Sequence, residues 1–443
     1  MEVETKKRNI YIDVMKGLLI TLVVIGHLPY FEYDSRTLTL IYSFHMHAFL
    51  IIGGILSHIN ENTKISTIIH KRVMGTLLPY FVFYLITFII VLTTTEQKIN
   101  AIPVVLKGIG IPPDHALNLP LWFLTFYFVT MTGFEIIQCV SYRIITSKIK
   151  TQSKNQNLSI DNSSHSINLI TLSVTFLTFV FIAIIMFISF YYARIYKLKR
   201  LPYNIEIAGF CLGFVFLGNV LGKTIPKIYN LISAIFFNKK DNDLSASTHI
   251  TKNRTNTLLI KIIIIIVSIF AVIVIAKTWY EYSMWNGRID LNARDYKNAF
   301  YMYVDAILGF ILFAIFSYII YSVSVYVNEK GMSLLNKNVN NAKNNVLSQK
   351  IMFRILLFLV NAPNKLFSCL GKNSLYILAY HVPSVYFSNR FIIPYLPSFI
   401  RETLSHNSII SVLILTTFGI SISLFLSLIN QSIDIIKKNV LKK

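Results

Sequence analysis

The sequence predicts an all-α, polytopic integral membrane protein with about ten transmembrane helices. Three observations carry that prediction. Of 443 residues, 54% are hydrophobic and only 14% are charged, where a soluble domain carries about 25% charged residues. Apolar runs of roughly 18–25 residues recur along the chain, the length a bilayer core demands. The basic residues gather in alternate connections. With the N-terminus inside, 27 of the 42 Lys and Arg fall on the internal side, as cytoplasmic loops of membrane proteins do. The spans are helical because open strands cannot satisfy their backbone in lipid.

The first candidate span, 13–32, follows Lys6, Lys7 and Arg8 like the core of a signal peptide. Asp13 and Lys16 interrupt it and no A-x-A site follows, so it reads as an uncleaved first helix. The second, 37–57, carries His45 and His47. The third, 73–95, starts just after Lys71 and Arg72, and the fourth, 119–140, contains Trp122. Spans at 167–190 and 203–222 flank Arg194, Lys197, Lys199 and Arg200. This is the one basic cluster that the orientation places outside. It marks either an anion-binding site there or an error in the helix count. Spans at 257–278 and 298–325 flank an outer loop with Trp285, Arg288 and Asp290, and 372–390 contains His381. The last span is 407–430. Residues 351–362 are apolar but too short to cross and read as an interfacial helix. The connections 147–166, 237–256 and 326–349 are rich in Asn, Ser, Thr and Lys and read as flexible cytoplasmic loops. Both termini fall on the cytoplasmic side.

The formal net charge of +22 does not indicate nucleic acid. In so apolar a chain, basic loops belong against a membrane's inner surface, and the expected partners are membrane lipids. Cys139, Cys211 and Cys369 are odd in number and scattered, which supports neither a disulfide framework nor a metal site.

Ionisable side chains inside membrane spans are costly and point to function. Lys16 lies near the inner end of the first span and His27 eleven residues on, about 16 Å higher. His45 and His381 fall near mid-depth of their own spans, so three helices bring three imidazoles toward one cavity. A neutral imidazole is the form required of a general base or an acyl-accepting nucleophile. Each histidine taken alone is equally read as a hydrogen bond to a neighbouring helix. Lys16 taken alone reads as a snorkelling side chain paired with Asp13, and Lys71 as a positive-inside anchor. His47 is turned well away from His45 and reads as structural or lipid-facing. Arg288 and Asp290, with Trp285 nearby, offer hydrogen-bonding and stacking groups suited to a sugar, or an Arg–Asp pair holding the loop.

The stretch DVMKGLLITLVVIGH followed by YSFHMHAFLIIGG resembles acyltransferase family 3, the bacterial integral-membrane O-acyltransferases. That family shows a basic residue, ten residues, then His, here Lys16 and His27. Its second helix is matched by Phe44 to Gly54. Further matches are Lys71-Arg72 with Leu78-Pro79-Tyr80, Leu121-Trp122-Phe123-Leu124, Leu370 to Leu375, and Tyr380-His381-Val382-Pro383. Trp285 to Asp290, with Tyr296 to Asn298 beyond, is similar to the fucose O-acetylase-like subgroup. The pattern departs at His47 (usually Pro), Ala48 (usually bulkier), Gly53 (usually Ser) and Lys297 (commonly Gly in the subgroup).

The resemblance implies an O-acetyltransferase that moves acetyl from cytoplasmic acetyl-CoA to a hydroxyl of a cell-envelope glycan or lipid-linked sugar. It implies His27, His45 and His381 as catalytic residues, with His45 ranked above His381, and Lys16 and Arg72 as donor-binding residues. Trp122, Asn286, Arg288 and Asp290 are the expected acceptor-binding residues. No metal is expected. The expectation is one membrane-embedded domain with a core at about 8–430, no appended soluble domain, and a place in the bacterial cytoplasmic membrane. A glycolipid or small-molecule transporter explains the helices and intramembrane charge as well, but not the ordered motifs. A non-catalytic scaffold gives no reason for three imidazoles at mid-depth.

Overall fold

In a computed structural model of the chain, the described residues are 9–28, 36–94, 119–156, 164–195, 201–236, 250–286, 299–341, 347–391 and 393–395, with 397–398, 416–417, 419–425 and 428. They form eleven α-helices and no strand. These are α1 (Ile10–Gly26), α2 (Arg36–Ile55), α3 (Ile65–Arg72), α4 (Leu78–Thr94), α5 (Trp122–Gln156) and α6 (Ser164–Ile195). The others are α7 (Ile205–Phe236), α8 (Ile250–Asn286), α9 (Ala299–Asn341), α10 (Leu347–Lys372) and α11 (Ser374–Phe391). Among the described residues, six helical stretches are long and apolar enough to cross a membrane. Of the expected span 407–430, only 416–417, 419–425 and 428 are described.

The helix ends follow local chemistry. Asn9 sits in an extended conformation before α1, and its side-chain oxygen accepts from the N–H groups of Tyr11 (3.0 Å) and Ile12 (3.4 Å). Two of the orphan donors of the first turn are thereby satisfied. α1 ends at Gly26, and His27 leaves helical geometry at φ −104°, ψ 6°. The first span is therefore shorter than 13–32, and His27 is the residue that caps it. Between α3 and α4 the chain makes a π-helical turn over Val73–Leu77, with the Leu78 N–H bonded to the Val73 carbonyl. Pro79 follows and has no N–H to offer the carbonyl four residues back, and a widened turn is one way a helix absorbs such a loss. Arg72 is consequently not at the start of a helix as expected, but the last residue of α3, in a helical run that begins at Ile65.

The described residues fall into two compact units: 1–45, 79–123 and 313–443 in the first, and 46–78 and 124–312 in the second. The first is built on α1, which packs along α10 and also meets α11. The α1–α10 approach depends on two glycines. A Cβ on Gly17 would overlap the Phe367 carbonyl, and one on Gly371 the Asp13 carbonyl. Small residues let backbones close this tightly where lipid removes any hydrophobic drive between helices. Tyr11 donates to the Ala314 carbonyl at 2.9 Å, and Phe83 of α4 meets the rings of Tyr376 and Tyr380.

The short helix expected at 351–362 is instead part of the 26-residue α10. Its C-terminal half carries the glycine that seats it on α1, which an apolar-run search does not register. In the second unit α6 packs on α7. Residues 46–55 of α2 lie close on α7, where a Cβ on Gly54 would overlap the Val215 carbonyl and one on Gly218 the Ile51 carbonyl.

The expected loops 147–166 and 326–349 are shorter than predicted, since α5 runs to Gln156, α6 begins at Ser164, α9 runs to Asn341 and α10 begins at Leu347. Of 237–256, residues 237–249 lie outside the described residues, and α8 begins at Ile250. Two helices, α6 and α7, occupy the stretch around 167–222, as the helix count there expects.

Candidate active site

The three histidines singled out in the sequence all belong to the first unit. His27 and His381 lie edge to face with ring centroids 5.0 Å apart. Tyr42 stands beside both His27 (6.4 Å) and His45 (5.0 Å). Its hydroxyl donates a long bond of 3.4 Å to the Gly26 carbonyl. The absence of a side chain on Gly26 matters here, because a Cβ would meet the Tyr42 ring at 3.2 Å. His381 is fully buried and His45 nearly so, whereas His27 is half-buried.

All three imidazoles are held the same way. Nδ1 of His27 lies 2.8 Å from the Val23 carbonyl, that of His45 2.6 Å from Ile41, and that of His381 2.9 Å from Ile377. Each partner is the carbonyl four residues back in the same chain. A carbonyl oxygen only accepts, so each Nδ1 carries the proton and donates it. In the neutral ring Nε2 is then the basic atom. His381 Nε2 is buried with no hydrogen-bond partner among the described residues. At His27 the same bond serves a second purpose, since the Val23 carbonyl is among those a helix end leaves without a partner.

Lys16 is half-buried on α1, and Trp122 is buried at the start of α5, where its ring meets Phe123 edge to face at 6.1 Å. The turn Leu119–Leu121 just before Trp122 packs on α11, the helix of His381. Asn286 ends α8, its side chain outside the described residues, as are Arg288 and Asp290. His47 is buried in the second unit against Phe214, at 4.6 Å between ring centroids. It is therefore a packed interior residue and not a lipid-facing one.

Arg72 belongs to the second unit, where it pairs with Glu135 of α5. Nε donates to one carboxylate oxygen at 2.9 Å and the terminal nitrogen donates to the other. Ser57 Oγ donates to Glu135 at 3.1 Å, and Tyr127 lies within hydrogen-bonding reach of Arg72. A Cβ on Gly53 would come within 2.6 Å of the Tyr127 hydroxyl. The glycine at a position usually held by Ser thus makes room for that phenol. The network continues from the Ser57 carbonyl to Asn219 (3.0 Å) and from Asn219 to Gln138 (2.9 Å).

Glu135, Ser57, Tyr127 and Tyr42 are absent from the sequence-based site. A usable signal existed for Glu135, which is an ionisable residue inside the apolar run 119–140. The criterion that singles out His27 and Lys16 singles it out equally. The other three carry no such mark, because hydroxyl-bearing residues are ordinary in membrane helices.

A family model described as an acyltransferase domain matches residues 9–429, nearly the whole chain. The chain belongs to that family, acyltransferase family 3. No curated protein and no solved structure matches it. This acyltransferase carries in its first unit three histidines each tied through Nδ1 to a backbone carbonyl, two of them in ring contact, and in its second a part-buried arginine paired with a buried glutamate. Among the described residues no group of three or more His, Cys, Asp or Glu is arranged to hold a metal ion. The chemistry these side chains offer includes proton transfer, hydrogen bonding and nucleophilic attack by an imidazole nitrogen.

Proposed function

We propose that this membrane acyltransferase is an O-acetyltransferase. It would use acetyl-CoA as donor and a hydroxyl of a cell-envelope glycan or lipid-linked sugar as acceptor. The observation that carries the reading is the Nδ1–carbonyl bond at His27, which leaves Nε2 as a base on a half-buried ring. The acceptor hydroxyl gives its proton to His27 Nε2 as its oxygen attacks the thioester carbonyl carbon. A C–O bond forms, the C–S bond breaks, and the CoA thiolate takes the proton back from His27. The products are an acetyl ester and free CoA thiol, and the imidazole returns to its neutral form. The positive charge His27 holds in between lies at the C-terminal end of α1, the negative end of a helix dipole. His381 and Tyr42 hold the ring in place.

Lys16 and Arg72 are the proposed donor-binding residues, because guanidinium and ammonium groups pair with phosphates through charge-assisted bonds. Trp122, Asn286, Arg288 and Asp290 are proposed for the acceptor. Beside that last stretch, Tyr282, Trp285 and Tyr301 form a ring cluster with centroids 5.0–6.1 Å apart. Its aromatic faces suit a sugar of the kind that fucose O-acetylase-like enzymes take. The family supports a place in a bacterial cytoplasmic membrane, and the distribution of Lys and Arg supports both termini on the cytoplasmic side.

The test is release of CoA thiol by purified protein, coupled to ester formation on envelope glycan, in wild type and His27→Gln. Loss of both products in a variant that still binds acetyl-CoA is expected. A normal rate from a well-folded His27→Gln protein would overturn the assignment of the base.

A further inference from the structure

We propose that the groove between α9, α10 and the first turn of α1 is a binding site for an anionic phospholipid headgroup that carries hydroxyls, of the phosphatidylglycerol class. It is independent of the acyl-transfer reading. The groove lies within the first unit, and its cavity is about 400 Å³. On α10 its wall is one continuous face: Asn361, Asn364, Lys365, Ser368, Cys369 and Lys372 recur every three or four residues. Such spacing places side chains on a single stripe of a helix.

The polar side chains lining the groove are bonded to one another. Asn328 and Asn361 exchange amide hydrogen bonds at 2.7 and 2.5 Å, and Ser324 adds a third bond to Asn361 at 2.6 Å. Asn364 Nδ2 donates to the Tyr321 carbonyl at 3.2 Å, which fixes which way the amide points. Asn364 lines the groove, and its Oδ1 is buried with no partner among the described residues. A buried acceptor without a donor is costly, and a ligand hydroxyl supplies one. At the rim, Lys365 and Lys372 are exposed, two turns apart on the same stripe. Neither forms an ion pair with a described residue. The ligand that fits is an anion bearing hydroxyl donors.

Its source follows from the flanks. Phe358, Leu359 and Leu366 of α10 and Tyr326 of α9 are each more than half exposed beside the groove. In a membrane protein such side chains face acyl chains, so the lysines sit at the border between lipid tails and polar headgroups. Basic pockets between helices at that border take anionic headgroups. A soluble nucleotide or sugar phosphate would leave the apolar flank unused.

Cys369 supplies the probe, since it is exposed and in the groove while Cys139 and Cys211 are buried. The full chain is placed in nanodiscs of phosphatidylcholine alone or with phosphatidylglycerol, and labelling of Cys369 by an uncharged maleimide is timed. Phosphatidylglycerol is expected to slow labelling about fivefold once it exceeds its dissociation constant severalfold. Lys365→Ala with Lys372→Ala abolishes the protection, while the paired Lys→Arg changes retain it. Equal rates in the two lipids would overturn the proposal. So would protection that survives in the double alanine variant, which reports surface potential only. Equal protection by CoA in phosphatidylcholine nanodiscs would assign the groove to a soluble phosphate instead, and would also overturn it.

Discussion

The two polar clusters of this acyltransferase differ in how their side chains are held. In the first unit, His27, His45 and His381 each commit one ring nitrogen to a backbone carbonyl of their own helix. In the second, Arg72 and Glu135 commit their charges to each other, with Ser57 and Tyr127 filling what remains. A histidine fastened through Nδ1 is positioned and still basic at Nε2. A guanidinium fastened through Nε and a terminal nitrogen to a buried carboxylate is positioned and mostly satisfied. The lesson is that intramembrane charge has two readings, reactive and structural. Hydrogen-bond bookkeeping on the specific atoms separates them, and sequence position does not.

The sharpest way to break that contrast is His27→Ala. Loss of a general base costs about 10²–10⁴-fold in rate, and little else should change. The variant should insert in the membrane, bind acetyl-CoA and leave the glycan unacetylated, as read by ester content and thiol release. His381→Ala should follow with a loss of about 10²-fold, the lower end of the acid–base range. His45→Ala should cost less than His381→Ala. This reverses the order expected from sequence, because His381 is the ring in contact with His27 and His45 meets Tyr42.

In the second unit the effect should appear in stability. Arg72→Ala leaves the Glu135 carboxylate buried and unpaired, which typically costs about 3–5 kcal/mol. Thermal unfolding of purified protein should show it, and Arg72→Met with Glu135→Leu should recover most of the loss. If Arg72→Ala instead keeps its stability and loses only acetyl-CoA affinity, the guanidinium is a donor contact first and a structural one second. The smallest effect is expected from Ser57→Ala, which removes one hydrogen bond to Glu135 while two from Arg72 remain. About 1 kcal/mol is the ordinary worth of such a bond, with no change in CoA affinity.

The sequence by itself determined the class and the candidates. An apolar chain with recurrent long runs has to be helical in lipid. Ionisable residues inside those runs, His27, His45, His381 and Lys16 among them, are legible because hydrocarbon penalises them. The same rule applied to 119–140 marks Glu135. Tertiary structure alone decided the partners. That Arg72 meets Glu135, 63 residues on, depends on how α3 and α5 pack. No local pattern encodes this, because the guanidinium reads the same whether it faces a carboxylate, a phosphate or water. Helix limits were less legible: the expected spans start at 13 and 73, whereas α1 begins at Ile10 behind its Asn9 cap and the helical run through Arg72 begins at Ile65. That 351–362 belongs to a longer helix was not legible, and the seat of that helix on α1 rests on Gly17 and Gly371. The missing Cβ atoms there let two backbones touch, and a glycine shows such a contact only once its neighbour is in place.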